Sequence, residues 1–248
     1  MLKLKVLACD VLRREIFWIA SRSPCYVDVS FLPQGLHKTP DKLRAVLNEN
    51  IEKANLEFPC DHCEEKSHYD YIIIVYGLCD NGITNLSSPK IPLVIPRAHD
   101  CITLLLGSRE RYVEFFHQSP GTYWYSRGWI ECSLQPGEER YNKARQQYVD
   151  QFGEDNADYL MEMEQGWYKS YERAFFIDWE DLGNSEYYRS YTKKCADYLN
   201  WKYKECQGSP LLLEKILGGR FDEEEVLVVA PGKSVAPSFD EMIIKSVS

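Results

Sequence analysis

The sequence reads Tyr71-Ile72-Ile73-Ile74-Val75-Tyr76-Gly77-Leu78-Cys79 in its first third, and this stretch decides the fold class. Its continuous apolar run with β-branched residues is typical of a strand that is buried on both faces, as in the parallel sheets of α/β proteins. Gly77 permits a sharp turn and a close approach of the backbone after the strand. The stretch therefore predicts a buried parallel strand that ends at a cysteine.

Strand and helix patterns alternate outward from this stretch in both directions. Further strands are predicted at residues 4–8, 26–32, 93–95, 174–177, 201–205 and 226–230. Helices are predicted at residues 11–20, 39–55, 101–116, 136–152, 156–171, 186–199 and 209–217, and the tail after residue 235 is predicted to dock loosely. Strands separated by helices imply parallel βαβ units with helices on both faces of the sheet.

The predicted fold is therefore α/β and bilobal, with a Rossmann-like or chelatase-like parallel sheet and a helical middle segment. Residues 1–132 form an N-terminal α/β lobe that carries the candidate Cys/His site, and residues 133–172 form a helical insertion or hinge. Residues 173–248 form a C-terminal α/β lobe, and a cleft is expected between the lobes.

Composition excludes several classes of protein. The chain has 248 residues, 44% of them hydrophobic, and a formal net charge of -9 at pH 7. The acidic balance argues against nucleic-acid and anionic-membrane binding, which need clustered Lys and Arg. No apolar run approaches the roughly 20 residues that cross a bilayer, and the first residues are too soon interrupted by charge for a secretory signal. Nine cysteines without such a signal predict a cytoplasmic protein, in which thiols serve metals or catalysis more often than disulfides.

Three cysteines follow the ends of predicted strands. Cys9 closes the first strand, Cys79 closes the long buried strand, and Cys101 follows the strand at 93–95, so all three lie at the carboxyl edge of a parallel sheet. Thiolates bind zinc, copper(I) and iron–sulfur clusters, and an imidazole from His37 or His99 completes a tetrahedral zinc site. Three thiolates alone leave one iron of a cubane cluster, or a catalytic metal, open to substrate. The other interpretation is that the three are small buried hydrophobic residues, since free cysteine is often buried.

Other residues at the same edge extend the candidate site. Gly77 and Asp80 flank Cys79 and are predicted to contact a bound group, and the guanidinium of Arg97 suits a carboxylate or phosphate. Acids that follow strand ends or open helices are candidates for supporting a metal ligand, and they are Asp10, Glu15, Asp80 and Asp178. The alternative is dipole complementation at helix starts, which fits Asp10 and Glu15 well, and Arg97 equally fits a surface ion pair.

A second pair of cysteines lies in a polar stretch. Cys60-Asp61-His62-Cys63 is CxxC-like, and His68 follows closely. One interpretation is a zinc knuckle that includes His62 and His68. An exposed, reversibly oxidisable loop is favoured, because a structural zinc site needs two further ligands at zinc spacing.

Several segments resemble one known family. They are Ala8-Cys9-Asp10-Val11 with Glu15, Gly35-Leu36-His37, Tyr76-Gly77-Leu78-Cys79, Ile95-Pro96-Arg97-Ala98-His99-Asp100-Cys101 with Leu106-Gly107-Ser108, Pro120-Gly121-Thr122-Tyr123, Gly128-Trp129, and Leu212-Leu213-Glu214 to Pro231-Gly232. These motifs are similar to those of domain-of-unknown-function family 1638, over most of the chain. The resemblance implies an anaerobic bacterium or methanogenic archaeon as source, and a genomic setting near corrinoid-dependent methyl transfer. It thereby implies a corrinoid or methyltransferase protein as partner, although the DxHxxG motif of a corrinoid carrier is absent.

Three functional hypotheses follow. The first is a cytoplasmic protein that binds a metal ion or iron–sulfur cluster through Cys9, Cys79 and Cys101, with His37 or His99, and serves corrinoid-linked methyl transfer or one-carbon metabolism. The second is an enzyme that uses a Cys101 thiolate, its pKa lowered by a helix N-terminus, with His99 as base for acyl, alkyl or thiol transfer. The third is a non-catalytic accessory subunit that docks on a methyltransferase. Walker, GxGxxG, GxSxG and HExxH motifs are absent from the sequence, which disfavours common nucleotide enzymes and hydrolases.

Overall fold

The computed structural model describes residues 1–56 and 68–248. Cys60, His62 and Cys63 lie outside the described residues, so the two interpretations of the CxxC-like pair stay predictions. His68 is described and is exposed.

The elements confirm a mixed α/β fold in which the larger sheet is mostly parallel. The described strands are β1 (Lys3–Cys9), β2 (Tyr26–Leu32), β3 (Tyr71–Val75), β4 (Leu93–Pro96), β5 (Thr122–Tyr125), β6 (Arg173–Asp178), β7 (Lys202–Gln207), β8 (Val226–Val229), β9 (Ser234–Pro237) and β10 (Ile244–Val247). The described α-helices are α1 (Arg13–Ala20), α2 (Pro40–Leu56), α3 (Cys101–Leu106), α4 (Arg109–Gln118), α5 (Arg127–Cys132), α6 (Glu138–Phe152), α7 (Glu154–Gln165), α8 (Ser185–Leu199) and α9 (Leu211–Leu217). Short 3-10 helices lie at Asp10–Leu12, Leu36–Lys38, Gly166–Ser170 and Glu180–Leu182.

These elements form two compact units. The first unit consists of Met1–Tyr112 and Ser209–Ser248, and the second consists of Val113–Gly208. The boundaries differ from those predicted at residues 132 and 172, because the last 40 residues of the chain belong to the first unit. The Rossmann-like or chelatase-like bilobal arrangement stays a prediction.

The first unit contains a five-stranded sheet with the order β2-β1-β3-β4-β8. β1 pairs in parallel with β2 and β3, and β3 pairs in parallel with β4. β8 is antiparallel to β4, with Leu93 opposite Val229 and Pro96 opposite Val226. The expectation that this strand runs parallel within a C-terminal lobe is wrong. Its short apolar sequence supplies the partner that the outer edge of β4 would otherwise lack.

Helices cover this sheet with apolar stripes. Leu43, Leu47 and Ile51 recur every fourth residue in α2 and are buried, which is the spacing of one helix face. α1 packs against α9, and Ile16 in α1 and Ile216 in α9 are both fully buried. The core of the first unit therefore lies between the parallel strands and these helices.

The helix predicted at 101–116 is two helices. α3 ends at Leu106, because Gly107 has a left-handed backbone with φ 81° that receives the helix C-terminus. A Cβ at Gly107 would lie 2.6 Å from the Cβ of Ser209, so only glycine fits between the two segments. α4 then begins at Arg109.

The C-terminal tail is docked rather than loose. β9 and β10 form an antiparallel hairpin in which Val235 and Ile244 are fully buried. The guanidinium of Arg97 donates to the carbonyl oxygens of Met242 and Ile244, which lie in this hairpin, at up to 2.8 Å. The prediction of a loosely docked tail is wrong, because a tertiary hydrogen-bond donor holds the segment.

The second unit is built on a parallel sheet with the order β5-β6-β7. α8 packs on β6 and β7, and Tyr125, Phe176 and Trp201 form part of an aromatic core beneath it. β5 and α5 are not among the elements that the sequence predicts, because the aromatic residues of β5 show no alternating pattern. Among the described residues, no helix combines the length and apolar character that crossing a membrane requires.

Candidate thiol site

The register of the first sheet places the ends of β1 and β3 side by side. Cys9 is the last residue of β1, and Ala8 lies opposite Val75 on β3. Continuing this register by one residue puts Cys9 beside Tyr76, with both side chains on the same face because neighbouring parallel strands keep their alternation in step. The sequence therefore folds so that a thiol and a phenol end on one edge.

The chain after β3 runs alongside the chain after β4. The backbone N–H of Leu78 donates to the oxygen of Ala98 at 2.8 Å, and that of Cys79 donates to the oxygen of His99 at 3.0 Å. Gly77 makes this approach possible, since a Cβ there would lie 2.5 Å from the backbone nitrogen of Asp100. The predicted role of Gly77 in close backbone approach thus holds for a protein segment, and its contact with a bound group stays a prediction.

Cys79 begins an unusual left-handed segment. Cys79, Asp80 and Asn81 have φ values of 47°, 52° and 66°, a region that non-glycine residues visit rarely and that costs roughly 1–2 kcal/mol per residue. The side chain of Arg44 on α2 donates to the oxygens of Asn81 and Thr84 at 3.1 and 2.8 Å. Such strain persists where the surroundings hold it, and it clusters at functional sites.

The three thiols share one electrostatic neighbourhood. Burial raises the pKa of Cys9, which is buried, and burial followed by Asp100 and Cys9 raises the pKa of Cys79 to about 12. Burial is also the main cause that raises the pKa of Cys101 well above its ordinary value, with Asp100, Cys9 and Cys79 adding to it. Cys79 and Cys101 keep partial exposure. The three predicted cysteines are therefore within electrostatic reach of one another, and the raised pKa values favour neutral thiols at pH 7.

Tyr76 belongs to the same neighbourhood, although no sequence pattern marks it as a site residue. Burial, and then the charges that Cys9 and Cys79 would carry as thiolates, raise the pKa of its hydroxyl. The residue is only 3% exposed. No donor or acceptor among the described residues meets that hydroxyl in hydrogen-bonding geometry, although the Cys9 thiol is its close neighbour. The signal that could have found it is a tyrosine at the end of an otherwise aliphatic buried strand.

Asp100 caps the start of α3, and His99, the predicted base, lies near Tyr112. The carboxylate of Asp100 caps α3 by accepting from the backbone N–H of Ile102 at 2.9 Å, and it accepts from the hydroxyl of Tyr112 at 3.2 Å. The ring of His99 lies 6.5 Å from that of Tyr112. Burial raises the pKa of Cys101, which opposes the lowering expected from the helix start. The pairing of Cys101 with His99 for catalysis stays a prediction.

His37 and Asp80 meet at the same edge. His37 lies in the 3-10 helix that follows β2, and burial is the main cause that lowers its pKa, which favours the neutral imidazole. Asp80 opposes this effect, so the two side chains are within electrostatic reach, next to Cys79. The predicted metal ligand His37 and the predicted contact residue Asp80 therefore lie near the thiol segment.

Other predicted residues have different partners. The Nε of Arg97 donates to the oxygen of Glu223 at 2.8 Å, in addition to its bonds to the C-terminal hairpin, so this side chain is engaged by protein. Asp178 lies in the second unit, where its carboxylate accepts from Arg127 at 2.6 Å and from Arg189 at 2.7 Å. It is part of a buried ion pair of that unit. Asp10 pairs with Arg13 at its own helix start, as dipole complementation predicts.

The fit of these residues to a metal is partial. The donors are soft, as zinc, copper(I) and iron–sulfur clusters require. Over residues 1–56 and 68–248, however, no group of three or more His, Cys, Asp or Glu side chains stands in position to hold a metal ion. The chemistry of the donor set fits, and the present spacing of the sulfur atoms does not.

Comparison with known proteins identifies the family. The family model described as Protein of unknown function (DUF1638) matches residues 31–217, which is most of the chain, and the chain belongs to that family. This match confirms the resemblance that the sequence motifs indicate. No curated protein and no solved structure matches the chain.

Proposed function

We propose that this member of the DUF1638 family binds a thiophilic metal ion or an iron–sulfur cluster through the thiolates of Cys9, Cys79 and Cys101. The observation that carries the proposal is that the segments bearing these cysteines run side by side at one sheet edge, through the register of β1 with β3 and the backbone bond from Cys79 to His99, with the thiols within electrostatic reach of one another. Simple burial of small side chains accounts poorly for the left-handed backbone at Cys79.

Metal loading would exchange protons for the metal. The thiolate is the ligand form of cysteine, so binding by three thiols that are neutral at pH 7 releases up to three protons. Because no three ligands have metal spacing among residues 1–56 and 68–248, we expect the segment that carries Cys79 to adjust on loading. When bound, a metal would supply Lewis acidity, or a cluster would supply electron transfer, at this edge.

His37 is the better candidate of the two predicted imidazoles. Its neutral form is the ligand form, and its pKa is lowered. Asp80 lies within electrostatic reach of it, next to Cys79. His99 instead lies near Asp100 and Tyr112, both engaged at the start of α3. The proposal therefore assigns His37 ahead of His99 as the fourth ligand.

Anaerobic metal titration of the full chain tests the proposal. Purified protein is titrated with Co²⁺, and sulfur-to-cobalt charge transfer and bound cobalt per chain are measured; ferrous iron with sulfide serves for a cluster. We expect one bound metal or cluster per chain, and its loss in the Cys9→Ser, Cys79→Ser and Cys101→Ser variants. Cys25→Ser is the matched control, because Cys25 is a half-buried thiol of the same unit, near Gly219. Absence of binding, or binding that survives all three changes, would overturn the proposal.

The resemblance extends the proposal to corrinoid-linked methyl transfer in one-carbon metabolism, with a corrinoid or methyltransferase protein as partner. The test adds hydroxocobalamin or methylcobalamin to the metal-loaded chain and follows the corrin absorption spectrum. A spectral change that requires the three cysteines would support this extension. If neither free corrinoid changes its spectrum, and the corrinoid of an added methyltransferase does not change its spectrum either, the extension to methyl transfer is refuted.

A further inference from the structure

Within residues 1–56 and 68–248, the outer strand of the first sheet has one side without a strand partner. This strand, β2, pairs with β1 and ends the strand order of its sheet. It is seven residues long, and Leu32 is the only one of them that is buried. An edge of this length offers a row of backbone donors and acceptors to another chain. We call this side of Tyr26–Leu32 the β2 edge.

The direction of the backbone identifies which groups lie along the β2 edge. The N–H of Tyr26 donates to the oxygen of Leu2 at 2.8 Å, so the backbone groups of Tyr26 face β1. Successive residues of a strand direct their backbone groups to opposite sides. The N–H and C=O groups of Val27, Val29 and Phe31 therefore point away from β1. They present three donors and three acceptors along the β2 edge.

The chain protects another edge strand but leaves β2 unprotected. β7 ends the strand order of the second sheet, and it carries exposed Lys202 and Lys204. Lysines on an edge strand discourage pairing with another chain. β2 has a single charged residue, Asp28, whose carboxylate accepts from Lys5 of the neighbouring strand at 2.8 Å. The β2 edge thus lacks the charges that keep strands apart.

Apolar surface continues the β2 edge on the face of the sheet that α1 covers. Phe17 of α1 is 53% exposed, and its ring lies 5.1 Å from that of Phe31. The guanidinium of Arg13 lies 4.3 Å from the centre of the Phe31 ring and holds that ring in place. Val27 and Val29 share this face with Phe31, because every second side chain of a strand lies on one face. Contiguous exposed apolar surface is typical of protein–protein interaction sites.

The sequence of β2 is complementary to itself in one antiparallel register. With Val29 opposite Val29 of a second copy, Val27 lies opposite Phe31, and Asp28 lies opposite Ser30. The residues whose backbone groups point outward then form hydrogen-bonded pairs, with about six backbone hydrogen bonds in all. Valine opposite phenylalanine is a favourable cross-strand pair, and the serine hydroxyl can donate to the carboxylate.

The neighbouring registers are less favourable. A shift toward the start of the strand puts Asp28 opposite Asp28 of the second copy, and directly opposed like charges are destabilising. A shift the other way puts Val27 opposite Pro33, which has no N–H to donate. Charge and backbone pattern together therefore select the register centred on Val29.

We propose that the β2 edge binds the β2 edge of a second copy of this chain, so that two five-stranded sheets join into one around a two-fold axis at Val29. Such an interface uses the same surface of both copies, as the commonest soluble oligomers do. The inference is independent of the proposed metal site, because no thiol of that site takes part in the interface.

Sedimentation velocity of the full chain under reducing conditions, from nanomolar to tens of micromolar protein, tests the inference. Val29→Lys puts two ammonium groups close together at the axis. Val228→Lys is the matched control, because Val228 is 41% exposed on β8, at the other end of the same sheet. Circular dichroism and urea unfolding show whether each variant is folded.

We expect the unaltered chain and Val228→Lys to reach twice the 29.0 kDa mass of one chain. Val29→Lys should raise the dissociation constant of the dimer by about 100-fold or more, because like charges that meet across an interface are strongly unfavourable. A monomer at every concentration would overturn the inference and leave the β2 edge to a strand of another protein. A dimer that a folded Val29→Lys leaves unchanged would overturn it as well.

Cysteine variants test the register even if Val29→Lys fails to fold. Val29→Cys puts two sulfurs across the axis, where opposing Cα atoms about 5.5 Å apart suit a disulfide. Val27→Cys is the control, because residue 27 lies opposite residue 31 and far from its own copy. After mild oxidation with diamide, Val29→Cys should form more covalent dimer than Val27→Cys and the unaltered chain. Equal amounts in all three proteins would overturn the proposed interface.

Discussion

Replacing Gly77 with alanine tests the geometry on which the thiol site depends. A Cβ at residue 77 would lie 2.5 Å from the backbone nitrogen of Asp100 and 2.6 Å from its Cα. These are backbone atoms, which cannot rotate away as a side chain would. The segments after β3 and β4 therefore have to separate, and Cys79 has to move away from Cys101.

The cost can be worked out from two contributions. Overpacking of this kind typically costs about 1–3 kcal/mol. Separation also weakens two backbone hydrogen bonds, from Leu78 to Ala98 and from Cys79 to His99, each with a net contribution of about 0.5–1.5 kcal/mol. We expect Gly77→Ala to lower the free energy of unfolding by about 2–4 kcal/mol, a large part of the roughly 5–15 kcal/mol typical of a domain.

Hydrogen–deuterium exchange localises the effect to the first unit. The amides of Leu78 and Cys79 should exchange roughly 30- to 1,000-fold faster in Gly77→Ala, since each 1.4 kcal/mol corresponds to a factor of ten. Gly166→Ala is the control, because Gly166 has a helical backbone with φ -51° and nothing within 4 Å of the added Cβ. Alanine at a compatible position should be neutral or stabilise by about 0.4–1 kcal/mol.

Equal stability and equal exchange in Gly77→Ala and Gly166→Ala would refute the reasoning. It would mean that the two segments tolerate separation, and that the approach of Cys79 to Cys101 does not depend on the missing side chain. Weaker Co²⁺ binding in Gly77→Ala, with normal binding in Gly166→Ala, would link the same contact to the proposed metal site.

Three further predictions concern individual side chains. Cys101 should react slowly with iodoacetamide at pH 7 to 8 in the folded, metal-free chain, because its raised pKa keeps the thiolate scarce. The alkylation rate should rise steeply only at higher pH or after unfolding. Fast alkylation at pH 7 would instead favour a nucleophilic role. Arg97→Met should leave the carbonyl oxygens that now accept from its guanidinium without a donor, and lower the free energy of unfolding by about 1–3 kcal/mol. Trypsin should then cleave the C-terminal hairpin faster. The control Arg220→Met, at an exposed residue, should be cleaved like the unaltered chain. Arg127→Met should lower the free energy of unfolding by about 3–5 kcal/mol, because it leaves the buried carboxylate of Asp178 with one partner fewer. In urea unfolding, the double variant Arg127→Met with Asp178→Leu should lose less stability than Arg127→Met alone. A double variant less stable than the single one would contradict this reasoning.

Local patterns predicted most elements because they depend on residues close in sequence. The strand at 26–32 is predicted with the bounds of β2, and the helix at 39–55 differs from α2 by one residue at each end. The apolar stripe of α2 and the aliphatic run of β3 are readable without any partner. Cys9 ends β1 as predicted, whereas β3 ends at Val75 and Cys79 lies in the turn four residues beyond it, so the predicted strand end at Cys79 is wrong.

Local sequence patterns could not predict the elements that depend on partners far away along the chain. β8 looks like any short apolar strand, and only its pairing with β4 reveals that it is antiparallel and part of the first sheet. The division of the predicted helix at 101–116 depends on Gly107 meeting Ser209, which lies about a hundred residues further along the chain. The docked tail depends likewise on Arg97.

The amino-acid sequence alone determined that thiols stand at the carboxyl ends of parallel strands, because strand pattern and strand direction bring those ends to one edge. The tertiary structure decided what the thiols are chemically, because burial and mutual proximity raise their pKa values against the expected effect of the helix start at Cys101. It also decided that Tyr76 belongs with them, because the register of β1 with β3 sets its side chain beside Cys9.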